Sequence, residues 1–125
     1  MDIQFLTLED VLEIHKDQID RYGGRSGIRD KNLLISALSQ PPSTFEEKYL
    51  HNCLSQMASA YLFHICQNHP FIDGNKRTAL MSALVFLDIN HSKIDYPEKA
   101  LEELTISVAS GKLHKKEIAV FFDNH

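Results

Sequence analysis

The chain has 125 residues, 43% of them hydrophobic and 24% charged; that balance excludes disorder, collagen-like fibre and low complexity and leaves room for one core. Thirteen Lys and Arg against 17 Asp and Glu leave a net charge of −4, without the concentrated basic face that direct nucleic-acid binding by counterion release needs. No apolar run approaches the roughly 20 residues of a membrane span, and Met1-Asp2-Ile3-Gln4 does not open a signal peptide. The expectation is one domain, 1–125, cytoplasmic and without a membrane partner.

Ile3-Gln4-Phe5-Leu6 reads as a short strand or an anchored extended segment. Thr7, with Asp10 three residues on, forms a weaker relative of the capping box. Leu8, Val11, Leu12, His15, Ile19 and Tyr22 then recur at helical spacing and predict a helix over Leu8–Tyr22, stopped at Gly23-Gly24. On that apolar stripe His15 reads as a satisfied core histidine. A second helix fits Lys31–Ser39, capped by Asp30 and ended by Pro41-Pro42.

The longest predicted helix runs from about Glu46 to Asn68, with Leu50, Leu54, Met57, Tyr61 and Ile65 as its stripe. Cys53 and Cys66 both fall in it, roughly 20 Å apart at 1.5 Å per residue, so they are expected to be free thiols packed as small hydrophobes. Pro70 breaks this helix. The next, Asn75–Ile89, is apolar almost all round from Ala79 to Leu87 and is placed at the centre of a bundle. Asp95 and Pro97 open a fifth helix, with Pro at its first position, ending near Gly111; Ile118, Phe121 and Phe122 suit a short sixth. Apart from Ile3–Leu6 and Lys93–Ile94 there are few strand candidates. The fold class is mainly α: about six helices around a central hydrophobic helix.

Two segments carry more chemistry than structure requires. In His69-Pro70-Phe71-Ile72-Asp73-Gly74-Asn75-Lys76-Arg77, a polar loop enters the N-terminus of the most apolar helix, where free N–H groups and the macrodipole favour an anion. Lys76 and Arg77 place cations where they disfavour the helix by roughly 0.3–1 kcal/mol each unless an anion joins them. Taken singly, Asp73 reads as an N-cap ahead of a metal ligand, His69 as a partner of terminal carbonyls, and Asn75 as a turn residue; together they suggest a phosphate site. The second segment, Gly23-Gly24-Arg25-Ser26-Gly27-Ile28-Arg29, has a glycine-rich backbone that could be a plain turn or a mobile flap able to pair with an incoming peptide.

His69 to Arg77 resembles the Fic motif HPFx(D/E)GN(G/K)R at all nine positions. With Lys76, and with Arg21-Tyr22-Gly23-Gly24 and Gly27-Ile28-Arg29-Asp30 upstream, the chain looks like the death-on-curing (Doc) branch of the Fic/Doc family along essentially its whole length. The resemblance implies a toxin of a type II toxin–antitoxin module that transfers part of a nucleotide to a protein hydroxyl. His69 would be the general base and Asp73 would hold Mg²⁺. Gly74, Asn75, Lys76 and Arg77 would bind ATP or another nucleoside triphosphate. The flap residues Gly23, Gly24, Arg25, Gly27 and Arg29 would dock the acceptor, by family analogy a threonine of elongation factor Tu, whose modification halts translation.

Most Fic enzymes carry glycine in place of Lys76 and transfer AMP; the lysine favours transfer of the γ-phosphate, with AMP transfer as the alternative. Ser43 to Glu47 fits the inhibitory pattern (S/T)xxxE(G/N) only in part, because Lys48 follows, so restraint is expected from a cognate antitoxin supplying an inhibitory helix. Two further readings compete. One is a non-catalytic helical interaction module. The other is a zinc site from His64, Cys66, His69 and Asp73, whose spacing matches no structural-zinc pattern.

Overall fold

A computed structural model describes residues 2–92 and 94–124. Among them are six helices, α1 (Leu8–Tyr22), α2 (Lys31–Ser39), α3 (Leu54–Asn68), α4 (Asn75–Ile89), α5 (Glu98–Ala109) and α6 (Lys115–Asp123), and one two-stranded hairpin, β1 (Thr44–Phe45) with β2 (Lys48–Tyr49). The class is mainly α, as the periodicities imply.

The start of α1 is set locally. Thr7 Oγ1 accepts from the Asp10 N–H and Asp10 Oδ2 from the Thr7 N–H, so the reciprocal box is complete. Asp30 caps α2 through the Leu33 N–H. Ile3–Leu6 is not a strand: Gln4 is held by the side chain of Asn90, and the Leu6 N–H donates to the buried Tyr61 hydroxyl. The Lys93–Ile94 reading falls at Lys93, outside the described residues; Ile94 lies in no strand. Pro97 is the cap of α5 rather than its first residue, and Gly111 follows the end of that helix at φ 82°.

The largest departure is at the start of α3. Residues 44–49 form an antiparallel hairpin with Thr44 opposite Tyr49 and Phe45 opposite Lys48, and α3 begins only at Leu54. Glu46 and Glu47 occupy the turn at φ 51° and 67°, where glycine or asparagine is the usual signal. Tertiary contacts override the helical pattern: the Tyr49 ring meets Phe5 at 5.7 Å, and His51 is buried beside Lys115. Leu50, predicted on the buried stripe, is exposed, whereas Met57, Tyr61 and Ile65 are fully buried. Cys53 therefore sits exposed at the cap of α3 rather than inside a helix; Cys66 is partly buried, and both thiols are free.

The centre is shared by two helices. α3 packs against α2, α4, α5 and α6, and α4 against α1, α3 and α5. Phe86 stacks on Phe5 (centroids 5.8 Å apart) and packs tilted against Tyr61 (5.1 Å), joining α4, α3 and the N-terminal segment. The face of α4 bearing Leu80, Met81 and Leu84 is only partly covered, because it floors a cleft.

α6 is joined to α3 by a polar cluster. The Lys115 ammonium donates to His64 Nε2 (3.0 Å) and His51 Nε2 (3.2 Å), which requires both imidazoles to be neutral. Burial, then the Lys115 charge and His51, push the His64 pKa from 6.5 down to about 4. The unfolded chain therefore binds a proton at this residue before the folded chain does. Its contribution to stability is complete above about pH 6.5 and is lost as pH falls towards 4. NMR titration should place His64 near 4, and the urea midpoint should drop between pH 6.5 and 4 less steeply in His64→Gln than in the unaltered chain.

Candidate active site

The segment between α3 and α4 is built by two helix ends that meet. α3 closes on His69 in the left-handed conformation (φ 48°, ψ 54°), its N–H returning to the Ile65 carbonyl. α4 opens on Gly74, also left-handed at φ 76°, and no side chain caps it. Asp73 is thus not the N-cap. Its carboxylate accepts from the Gly74 N–H (2.8 Å) and from the Arg25 N–H (3.1 Å). These bonds, that from Arg25 first, hold its pKa below the ordinary carboxylate value, so it is anionic at neutral pH.

α1 supports the loop from below. The buried His15 ring stacks on Phe71 at 3.8 Å and 6° between planes, and its Nε2–H donates to the Asp73 carbonyl at 2.8 Å. It is a satisfied core histidine, and it props the motif. A Cβ on Gly74 would come within 3.0 Å of Ile19 Cδ1, so this glycine lets α1 approach the turn as well as supplying a positive φ. Asn75 is buried, with its carboxamide committed to the Phe71 N–H and carbonyl. Its side chain braces the turn between the two helices.

His69, Asp73, Gly74, Asn75, Lys76 and Arg77 all line one cleft of about 670 Å³ between α1, α4 and α5. A separate groove of about 510 Å³ between α1 and α4, walled by Asp10, Glu13 and Asp17, includes no motif residue. His69, Asp73, Lys76 and Arg77 are exposed, and among the described residues neither cation forms an ion pair. The Arg77 guanidinium lies 4.8 Å above the Tyr22 ring. Tyr22, which helical spacing puts on the apolar stripe of α1, is 55% exposed at the cleft wall. Glu98 and Glu102 of α5 face the same cleft, and nothing in their local sequence ties them to the motif.

Gly23–Arg29 does not stand free of the motif. The Ile72 N–H donates to Gly27 O, the N–H groups of Arg29 and Asp30 both donate to Pro70 O, and Ile28 bridges Phe71 in antiparallel fashion. One edge of the glycine-rich segment is therefore already paired with the motif loop. Gly24 and Gly27 face Asp73 and Ile72 across this contact, while Gly23 has open space around it.

No group of three or more metal-ligating side chains exists among the described residues, and His64 is turned to Lys115 instead of forming a zinc set. A lone ionised carboxylate with hard oxygens does suit Mg²⁺ that arrives with phosphate and water ligands, since that ion is usually held by one or two carboxylates plus phosphates.

Gly24 offers a direct probe. At φ 115°, a Cβ there would lie 2.8 Å from Asp73 Oδ2. Gly24→Ala should cost about 1–3 kcal/mol in urea unfolding through backbone strain. It should also raise the Asp73 pKa, read by carboxyl NMR, as the Arg25 N–H is pushed off.

With this geometry in place, the comparisons with known proteins agree. The Fic/DOC family pattern matches residues 5–87. Protein kinase doc of Escherichia phage P1 is 30% identical over 118 residues, covering 94% of this chain and 91% of that protein. Toxin Doc of Mycolicibacterium smegmatis is 34% identical over 109 residues, covering 86% and 82%. The chain belongs to the Fic/DOC family.

Proposed function

We propose that this chain is a Doc-type toxin that transfers the γ-phosphate of ATP or another nucleoside triphosphate to a protein hydroxyl. The observation that carries the reading is the uncapped start of α4, with Lys76 and Arg77 free of ion pairs among the described residues, sharing a cleft with the exposed imidazole of His69. Such a helix end is short of an anion, and a polyphosphate supplies one. The names of the two relatives, a protein kinase and a toxin, support the same reading.

In this scheme His69 takes the proton from the acceptor hydroxyl as its oxygen bonds to the γ-phosphorus. The bond from that phosphorus to the bridging oxygen breaks, and a nucleoside diphosphate leaves. Lys76, Arg77 and the first N–H groups of α4 balance the phosphate charge. Gly74 and Asn75 hold the turn from which those groups project. Asp73 would hold Mg²⁺, which supplies charge neutralisation on the phosphates when bound. The acceptor lies along the exposed side of Gly23–Arg29, and the resemblance names a threonine of elongation factor Tu. A cognate antitoxin, entering as a helix, is the partner that restrains the toxin. The partial inhibitory pattern at Ser43–Glu47 gives no support to an internal restraint, because Thr44–Tyr49 is a hairpin and not a helix.

Incubation with ATP, Mg²⁺ and elongation factor Tu, followed by intact-protein mass analysis, tests the reading. The acceptor should gain the mass of one phosphoryl group; gain of an adenylyl group would instead establish AMP transfer. His69→Ala should lower the rate by about 10²–10⁴-fold without altering the helical content seen by circular dichroism. Full activity in that variant would remove His69 from the mechanism.

A further inference from the structure

His69 is held in a backbone conformation that side-chain-bearing residues seldom adopt, at φ 48° and ψ 54°. It follows the last turn of α3, where carbonyls lack intrahelical partners. Pro70 comes next and has no N–H to offer. Left alone, this junction would have several main-chain arrangements of similar energy, and each would aim the imidazole differently.

One residue of the facing segment meets all three consecutive carbonyls. Arg29 Nη2–H donates to Asn68 O at 2.9 Å, and Nε–H to His69 O at 2.7 Å. Its own backbone N–H donates to Pro70 O at 2.7 Å, and the Asp30 N–H donates to the same oxygen at 3.0 Å. The planar guanidinium is suited to this task because its donors are fixed in a fork and cannot lose their charge. Its charge also complements the negative end of the α3 dipole. The Asn68 side chain adds a bond from Nδ2 to Leu33 O, which fixes the same turn against α2.

We propose that Arg29 is a positioning residue for His69: its side chain sets the main-chain dihedrals from which the base projects, and its backbone N–H is likewise committed to Pro70 O rather than offered to a docking acceptor. This rests on the reading of His69 as the base. It separates Arg29 from Arg25, which bonds to Asp73 through its backbone N–H and, among the described residues, makes no side-chain hydrogen bond.

The experiment compares Arg29→Gln, Arg29→Lys and Arg29→Ala with the unaltered chain in phosphotransfer from ATP and in ATP hydrolysis, where water replaces the docked protein. A positioning role predicts that kcat falls about 10–100-fold in Arg29→Gln while both KM values stay within about threefold. Hydrolysis should fall by the same factor, because it needs the base but no docking surface. Arg29→Lys should be intermediate, since a point charge cannot bridge the carbonyls as a fork does, and added methylguanidinium should restore part of the activity of Arg29→Ala. A raised KM for the acceptor alone, with hydrolysis intact, would make Arg29 a docking residue and overturn the proposal.

A second readout does not depend on activity. The His69 Cα and Cβ chemical shifts should move away from left-handed values in Arg29→Gln, and unchanged shifts would sink the inference. If the unaltered chain transfers no phosphoryl group from ATP or any other nucleoside triphosphate, the phosphotransfer reading fails by itself and the shifts still decide the role of Arg29.

Discussion

Two helix termini meet across the six residues 69–74, and the two ends are treated differently. The carbonyl of Asn68 at the end of α3, and those of His69 and Pro70 that follow it, are all satisfied by Arg29 and Asp30. The N–H groups at the start of α4 receive no side-chain cap, and cations stand beside them. A buried end left this way would be a defect. At the wall of an open cleft it is a stored preference for an anion, and the remainder of the molecule holds that end in place.

The supporting parts come from distant stretches of the chain. α1 contributes His15, which stacks on Phe71 and donates to Asp73, and Ile19, which lies where a Gly74 side chain would go. The loop after α1 pairs with residues 70–72 through one antiparallel bridge and the backbone bonds beside it. α5 closes the far side of the cleft with Glu98 and Glu102. Most of these contacts are polar and fixed by geometry, so the His69 imidazole, the Asp73 carboxylate and the two cations hang from one scaffold and are not arranged independently.

α4 illustrates how a composition can mislead about burial. Its nearly continuous apolar run suggested a helix enclosed on every side, yet Leu80, Met81 and Leu84 face a cleft. The apolar face has two uses: Ala79, Ala83, Phe86 and Leu87 fill the core, and the rest makes a wall from which water is more easily displaced. α3 is the more enclosed of the pair because its small residues Ala58, Ser59 and Ala60 let neighbours approach closely.

Local patterns were enough to read α1, α2 and α4 with their boundaries, and to single out the residues of the nine-position motif, because caps, prolines and helical periodicity act over a few residues. The start of α3 was not legible, since Glu46-Glu47 carries no turn signal, and it is distant residues that fix this stretch: Phe5 meets Tyr49 of the hairpin, and Lys115 bonds His51 just after it. Nor could spacing show that Tyr22 would lie under Arg77 or that α5 would face the motif. The sequence by itself therefore determined the helices and the residue types at the site, because those depend on neighbours along the chain. Only the tertiary structure decided that Asp73 bonds to Arg25 and that Arg29 grips the end of α3, because those bonds join residues 39 to 48 positions apart through space.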